Sequence, residues 1–229
     1  MTIYQPVGIL YIMARPKLKK DSKSAKEKLL EAAIAIIRIK GYAATTVDDL
    51  CEFAGVTKGT FFHYFETKET LAVAAAEQWS LMTSEFFKSA SYHKCIDPLD
   101  RLLGYIDFRK QILIGTPSEF TCLVGTMTQE IHTSNPKIRD ACHLSIFGHA
   151  KVLEDDILAA KKLHVPNSKW TVKSLALHTQ SVLQGAFILA KASQDAKDAM
   201  ESIDHLKNYI KILFENKNSN PKTKENQNV

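Results

Sequence analysis

Apolar positions along this chain recur every three to four residues, and no stretch alternates with the two-residue period of a β-strand. Glycine and proline, which would interrupt helices, number only nine and seven in 229 residues. The pattern predicts an all-α protein. Nine helices are expected, near residues 23–40, 46–53, 57–63, 67–90, 97–114, 118–132, 136–162, 169–192 and 196–215.

Side chains that cap helix ends mark several of these boundaries. The segment Thr116–Glu119 has the spacing of a capping box, in which two side chains satisfy each other's main-chain N–H groups. The pairs Asp97-Pro98 and Asn135-Pro136 each combine a capping side chain with a proline at the first helical position. Gly41 stands where a helix C-cap belongs. These signals predict where individual helices begin and end.

Residues 46–65 read TVDDLCEFAGVTKGTFFHYF and form two short amphipathic segments joined at Gly55. Glycine can adopt the positive φ that a tight turn between helices requires. The positions spaced to pack inward against the preceding helix are Val47, Leu50, Ala54, Val56, Phe61 and Phe65. The positions left on the outer side are Lys58, Gly59, Phe62 and His63. The pattern predicts a helix-turn-helix whose second helix enters a DNA major groove.

The outer side chains of this unit suit contact with DNA. Thr46 and Thr57 stand at helix starts, where hydroxyls and N–H groups meet phosphate oxygens. Gly59 has no side chain, so the main chain can come close to DNA there. Thr60 can offer a methyl or a hydroxyl to a base edge. The residues expected at DNA are Thr46, Thr57, Lys58, Gly59, Thr60, Phe62, His63, Tyr64 and Lys68. Taken singly, most would be polar residues on a small helical subdomain; their combination favours DNA.

The run GVTKGTFFHYFETKETL, residues 55–71, resembles the signature of the TetR family of transcriptional repressors. The matching positions are Gly55, Val56, Thr57, Gly59, Thr60, Phe61, Tyr64, Phe65, Thr67, Lys68 and Leu71. The resemblance implies an Ω-shaped homodimer that leaves a palindromic operator when a small-molecule inducer binds. Phe62 departs from the family pattern, which has a phosphate-binding tyrosine there. Only a van der Waals contact with DNA is therefore expected of Phe62.

Positive charge is concentrated at the N-terminal end. Residues 1–68 hold 11 Lys and Arg against 7 Asp and Glu, within a net charge of +5 for the whole chain. This distribution favours a polyanion partner there, with a solvated basic face as the alternative.

We expect four segments: an extension with a basic arm (1–22), a helix-turn-helix domain (23–66), a ligand-binding and dimerisation domain (67–215) and a disordered tail (216–229). The cations of the arm, which would contact the minor groove or the DNA backbone, are Arg15, Lys17, Lys19 and Lys20; a loose basic leader is the alternative.

Cysteine spacing and hydropathy bear on the compartment. The four cysteines, Cys51, Cys95, Cys122 and Cys142, include no CxxC motif and fit reduced thiols better than disulfides or a zinc site. No apolar run approaches the roughly 20 residues that span a bilayer. The apolar segment Ile3–Met13 has its first cation after it, unlike a signal peptide, and an upstream start codon ahead of Met13 would explain it equally well. We expect a cytoplasmic protein without a membrane partner.

The helices near 136–162 and 169–192 have small side chains that would permit close crossing with another helix. The stripe consists of Val172, Leu175, Ala176, Thr179, Val182, Ala186 and Ala190 on the later helix, and of Ser145, Gly148 and Val152 on the earlier one. With the family resemblance, this stripe predicts a four-helix dimer interface. The alternative is that both helices form the core of a monomer.

The ligand site is expected among aromatic and polar side chains of the C-terminal domain. The candidates are Trp79, Phe86, Tyr105, Phe108, Cys122, His143, Phe147, His178 and Phe187. The segment CLVGTMTQE, residues 122–130, resembles a C-L-x-G-x-x-x-x-E pattern of a TetR subgroup with some electrophile-responsive members. That resemblance implies Cys122 as a thiol sensor beside the pocket. The alternative is a buried cysteine acting as a small apolar residue.

Two other classes of protein are rival interpretations. An enzyme would be expected to carry a motif such as GxSxG, HExxH or a glycine-rich phosphate loop, and none occurs here. The eight histidines include no pair with metal-ligand spacing and a carboxylate, so neither a metal nor a cofactor is predicted. An all-α enzyme with dispersed catalytic residues is the more distant rival. A non-specific nucleoid protein would need more positive charge on its larger domain.

Overall fold

The computed structural model of the chain describes residues 23–215, and its regular elements are helices. They are α1 (Ala25–Lys40), α2 (Val47–Ala54), α3 (Lys58–Tyr64), α4 (Lys68–Lys88), α5 (Pro98–Gln111), α6 (Pro117–Phe120), α7 (Leu123–Ile131), α8 (Pro136–His164), α9 (Val172–Ser193), α10 (Lys197–Phe214) and a 3₁₀ turn (Ser91–Lys94). No strand occurs in this range, so the all-α prediction is confirmed. None of the described helices is long and apolar enough to cross a membrane. The expected basic arm and polar tail lie outside the described residues.

The helix predicted over 118–132 is two helices, so that prediction is wrong. Thr121 and Cys122 between α6 and α7 have extended backbone, with ψ angles of 164° and 123°. The extended segment presents the Thr121 carbonyl to the Nε of Arg38, which donates to it at 2.9 Å. Cys122 then caps α7, because its Sγ accepts the N–H of Gly125 at 3.4 Å. A contact between segments far apart in sequence therefore sets this break.

Most predicted caps are confirmed. In the Thr116–Glu119 box, the N–H of the threonine donates to the glutamate Oε2 at 2.6 Å. The Asp97 carboxylate accepts the N–H of the second residue of α5 at 2.7 Å. Asn135 is the exception: its side chain forms no cap, and its buried Oδ1 has no hydrogen-bond partner. The proline after Asn135 still begins α8 as expected.

Two clusters of buried apolar side chains hold the chain together. One packs α1, α2, α3 and the first half of α4 against α7 and the start of α8. The other fills the space among α5, α8, α9, α10 and the end of α4. Cys122 packs against both clusters. We call residues 23–66 the head and residues 67–215 the body; the head shares its core with part of the body.

Polar contacts also join the head to the body. The guanidinium of Arg38 lies over the ring of Trp79, 5.0 Å from its centre, and donates to Thr121. Burial lowers the pKa of Arg38 to about 10, so the group remains cationic at neutral pH. The Oε2 of Glu130 on α7 accepts the N–H of Ala43 at 3.0 Å. A displacement of Trp79 or α7 would therefore reach α1 directly.

Most of the small-residue stripe expected at a dimer interface faces the inside of the chain. Its buried members are Leu175, Ala176, Thr179, Ala186 and Ala190 on α9, and Ser145 on α8. They are covered because α9 packs closely on both α8 and α10. The prediction is wrong for these six side chains, whereas Gly148 and Val152 of the stripe remain exposed on α8. Other apolar residues of the same two helices remain on the surface.

Candidate DNA interface and ligand cavity

The two faces of α3 differ sharply. Phe61 is fully buried and Phe65 is 5% exposed, and both pack into the head. The residues that lie outward are Thr57, Lys58, Gly59, Phe62, His63 and Tyr64, with Thr60 partly exposed beside them. The inward and outward positions expected from their spacing are thus found on opposite sides of α3. Gly55 makes the turn before α3 in a left-handed conformation with φ of 64°.

The threonines at the helix starts are caps. Thr57 Oγ1 accepts the N–H of Thr60 at 3.1 Å and lies 2.9 Å from the Thr60 hydroxyl. Thr46 forms a capping box with Asp49, whose carboxylate accepts the Thr46 N–H at 2.7 Å. Hydrogen bonds from Lys40 and Thr46 lower the pKa of Asp49. Thr46 and Thr57 therefore orient α2 and α3 whether or not their hydroxyls also contact phosphate.

Lys58 at the start of α3 is exposed and available to DNA. Its ammonium pairs with Asp48 on α2 at a distance of 2.7 Å, and that hydrogen bond raises the pKa of Lys58. Both partners are largely solvated, so the pair contributes little to stability. A phosphate oxygen could replace Asp48 at small cost.

Lys68 has a different environment from the one predicted. Its ammonium donates to the main-chain carbonyls of Tyr42 at 3.0 Å and Thr45 at 2.8 Å. It also lies over the ring of Tyr42, 4.3 Å from the centre, and burial lowers the pKa of Lys68. Lys68 joins the turn after α1 to the start of α4. We therefore assign it this structural role in place of the expected phosphate contact.

The body contains a cavity beneath α4. About 50 Å³ of it is open to the centres of water-sized molecules. Its main apolar walls are Trp79, Phe87, Ile112, Phe120 and Phe187. Its polar lining includes Cys122, Arg109, His149, Gln180 and Gln184. Arg38 of α1 contacts Trp79 of the lining, so the cavity adjoins the head at α1.

The structure places only some predicted pocket residues in this cavity. Trp79, Cys122 and Phe187 line it, and Tyr105 lies behind its wall, bonded to lining residues. The prediction is wrong for this cavity at Phe86, Phe108, His143, Phe147 and His178. The Phe86 and Phe108 rings pack together at 5.1 Å, whereas His143 and Phe147 stack at 4.2 Å on the exposed face of α8. His178 is exposed, with its ring 5.0 Å from that of Tyr209.

Sequence reasoning missed the polar residues of the cavity. Arg109 follows Tyr105 by one helical turn on α5, and both are buried. Gln180 lies on a largely apolar face of α9. A long polar side chain on an apolar helical face was the available signal in both cases. That signal does not reveal whether the side chain meets solvent, a neighbouring helix or a cavity.

A hydrogen-bond network centred on Tyr105 orients the cavity's polar groups. The Tyr105 hydroxyl oxygen accepts from Gln180 Nε2 at 3.1 Å and has a long contact with Arg109 Nη1 at 3.5 Å. Its own proton is then free to be donated to His149 Nε2, 2.9 Å away. Burial, followed by the charge of Arg109, lowers the pKa of His149 to about 3. His149 is therefore a neutral acceptor at pH 7.

We expect His149 to make the protein less stable in mild acid. The unfolded chain takes up a proton near pH 6.5, whereas folded His149 does not until about pH 3. Its contribution to stability is therefore complete above pH 6.5 and is lost progressively as the pH falls below that value. Between pH 7 and pH 5 the loss should be about 2 kcal/mol.

Urea titrations at the two pH values measure this loss. His149→Gln should lose about 2 kcal/mol less than the unsubstituted protein between pH 7 and pH 5. The matched control is His178→Gln, which replaces an exposed histidine and should keep the original pH dependence. Equal pH dependence in His149→Gln and the unsubstituted protein would contradict the assignment of a neutral His149.

Residues 29–75 match the family model described as bacterial regulatory proteins, tetR family. Transcriptional regulator AcuR of Cereibacter sphaeroides is 28% identical over 117 residues, which cover 51% of this chain and 53% of AcuR. The match thus spans about half the length of that relative. The HTH-type transcriptional repressor NemR of Escherichia coli is 22% identical over 201 residues, covering 84% of this chain and 96% of NemR.

Solved structures show the same fold. The regulatory protein TetR from Rhodobacter sphaeroides superposes with a TM-score of 0.72 at 21% identity, covering 81% of this chain and 98% of that one. The reduced form of Escherichia coli NemR gives 0.69 at 22% identity, covering 81% and 96%. The similarity extends beyond the head to most of the body. These relatives are named as transcriptional regulators, a transcriptional repressor or regulatory proteins.

Proposed function

Because this chain belongs to the TetR family of bacterial transcriptional regulators, we propose that it is a repressor that a small molecule releases from a palindromic operator. Its partner would be double-stranded DNA in the cytoplasm. The observation that carries the proposal is the outer face of α3, where Thr60, Phe62 and His63 project from a helix anchored by buried Phe61. The dimensions of α3 suit a major groove.

A homodimer would present two such helices about one DNA turn apart, roughly 34–36 Å. The outer sides of α8 and α9 support this assembly because they expose apolar groups. Leu144 and Phe147 on α8 are 73% and 44% exposed, and Ile188 and Leu189 on α9 are 48% and 47% exposed. Burying these side chains against a second copy would remove them from water. We therefore retain α8 and α9 as the proposed interface, through their exposed apolar side chains and without the buried part of the predicted stripe.

The ligand would act through Trp79. This side chain lines the cavity and contacts Arg38 of α1, which in turn is bonded to Thr121. A ligand that moved Trp79 would shift α1, and with it α3, relative to the body. A coupling of about 1–3 kcal/mol between the two sites would change DNA affinity about 5–150-fold. In a dimer, this movement would change the distance between the two α3 helices, and with it their fit to the two half-sites.

Selection of bound sequences from a random DNA pool tests the proposal directly. Footprinting and salt titration of the selected sites should follow. We expect enrichment of a roughly palindromic site with half-sites about one turn apart. If no sequence is enriched, the head is not a sequence-specific DNA reader, and turnover of small molecules by the body becomes the next property to measure.

Two substitutions on α3 should separate base recognition from phosphate contact. Thr60→Val keeps the shape but loses the hydroxyl, so it should weaken the selected site by about 1–3 kcal/mol and random DNA much less. Lys58→Ala should weaken both alike and reduce the salt dependence. Binding titrations at several salt concentrations measure these effects. Equal losses for both variants at every sequence and salt would contradict these roles.

The surroundings of Cys122 favour a second candidate function, regulation by thiol-reactive electrophiles. Cys122 lines the cavity and caps α7 through its Sγ. Arg38 and Lys191 are close enough to interact with it electrostatically. Cations and helix N-termini are common surroundings of reactive thiols. A covalent adduct on Sγ would disturb the cap of α7, the helix that holds Ala43 of the head through Glu130.

Alkylation with N-ethylmaleimide tests this candidate. Mass spectrometry should find adducts on Cys122 and partly exposed Cys95 before buried Cys51 and Cys142, because burial also raises the pKa of Cys142 to about 11. DNA release should accompany the Cys122 adduct and persist in the control Cys95→Ser. If Cys122→Ser is still released by the reagent, Cys122 is not the sensor.

A further inference from the structure

Arg109 is a buried cation in the wall of the cavity, and it has few partners. Arg109 is only 8% exposed to solvent, and its Nε has no hydrogen-bond partner. Its Nη1 reaches the Tyr105 hydroxyl only at 3.5 Å. The ion pairs found within residues 23–215 do not include Arg109.

Aromatic rings partly compensate this charge. The Arg109 guanidinium lies 5.2 Å from the ring centre of Phe87 and 5.3 Å from that of Phe187. Cation–π contacts stabilise a desolvated cation, but they leave the Nε–H of Arg109 without an acceptor. A guanidinium cannot lose its proton under ordinary conditions, so burial without a counter-ion is costly. An anion with two oxygens in one plane would satisfy the charge and the unpaired N–H together.

The other residues that line the cavity determine which kind of anion would fit beside Arg109. His149 is neutral, so Arg109 supplies a single positive charge. The other walls are mostly apolar, formed by residues such as Trp79, Phe87 and Phe120. A dianion would bury a second charge among them without a partner. A monoanion with an apolar body fits both the charge and the walls.

The volume favours a small ligand. A cavity of about 50 Å³, measured for the centres of water-sized molecules, accommodates about three to five waters. Since each water occupies about 30 Å³ in the liquid, this corresponds to roughly 90–150 Å³ of ligand. We infer that the cavity takes a small monocarboxylate of three to six carbons, with its carboxylate on Arg109 and its chain against Trp79, Phe87 and Phe187. The inference names the inducer class for the proposed function and rests on that function.

Calorimetric titration of the full chain without DNA tests the inference. The probes are butyrate and hexanoate, their neutral amides butyramide and hexanamide, and inorganic phosphate. The acids should bind and raise the melting temperature, whereas the amides and phosphate should not. Arg109→Gln should weaken binding of the acids about 10–100-fold, since a hydrogen bond to a charged group is lost. The matched control, Lys110→Gln, changes a neighbouring cation that pairs with Asp204 and should bind like the unsubstituted protein.

Three results would overturn the inference: amides that bind as tightly as acids, phosphate that binds as tightly as butyrate, or no binding of either acid. Unchanged binding in Arg109→Gln would also overturn it. The comparison of acids with amides on the unsubstituted protein is decisive even if Arg109→Gln fails to fold. Selection of DNA sites is independent of this titration. Acid binding without a DNA site would refute only the proposed function, and a DNA site without acid binding would refute only the inference.

Discussion

Phe61→Ala is expected to lower the free energy of unfolding by about 3–5 kcal/mol. Phe61 is fully buried in the cluster that joins α1, α2 and α3 to α4 and α7. Truncation would leave a cavity at the centre of this cluster, where several helices already fix the surrounding side chains. Since α3 has only seven residues, it depends on Phe61 and neighbouring Phe65 for its orientation. Specific DNA binding should therefore be lost together with stability.

Urea unfolding monitored by circular dichroism measures the change. Phe62→Ala is a close control, because the next side chain along α3 is 55% exposed. It should change stability by less than about 1 kcal/mol, as surface substitutions usually do, and still weaken DNA binding. The two neighbouring substitutions thus separate the fold of the head from its contact surface. Equal destabilisation by both would mean that α3 is not anchored by Phe61.

Gly41→Ala is expected to cost about 2–5 kcal/mol, the second large effect. Gly41 ends α1 with φ of 85° and ψ of 164°, a conformation that residues with a Cβ rarely adopt. A Cβ there would lie within 1.9 Å of Glu130 Oε1. Glu130 would have to leave its place, and the N–H of Ala43 would lose its acceptor. The substitution therefore strains the backbone and loosens the head from α7.

Gly55→Ala separates the two causes. Gly55 also has positive φ, at 64°, but no atom lies within 4 Å of a Cβ built there. It should cost only the backbone term of about 1–2 kcal/mol. Adding Glu130→Ala to Gly41→Ala should recover part of the larger loss, because the clash is then removed. Equal costs for the two glycine substitutions, with no recovery in the double variant, would contradict the role of Glu130.

The head was predictable because its signals are local. Phe61 and Phe65 lie one helical turn apart, and Gly55 lies between two amphipathic segments, so spacing alone separates the inner and outer faces. The C-cap at Gly41 likewise depends on the glycine itself. Lys68, in the same region, shows where local sequence signals are insufficient. The sequence analysis places it among the residues expected at DNA, but the carbonyls that hold it belong to a turn 23 and 26 residues earlier.

The cavity was less predictable because its residues meet only in the folded body. Arg109, His149 and Gln180 lie on α5, α8 and α9, and the Tyr105 hydroxyl joins them. Aromatic content indicated candidates, but the face that each helix buries depends on its neighbours. His178 on α9 fell outside the site for that reason. The break at Cys122 likewise required Arg38, whose bond to Thr121 spans 83 residues of sequence.

The shared core of head and α7 also limits how such a regulator can be recombined with others. A chimera that joined residues 23–66 to an unrelated body would leave Arg38 without the Thr121 carbonyl and Ala43 without Glu130. It would also uncover apolar side chains of α1 that pack on α7. The smallest exchangeable unit is therefore discontinuous, because α7 has to travel with the helix-turn-helix. DNA specificity and the proposed ligand response would therefore be inherited together, through α7 and the part of α4 that packs on α1.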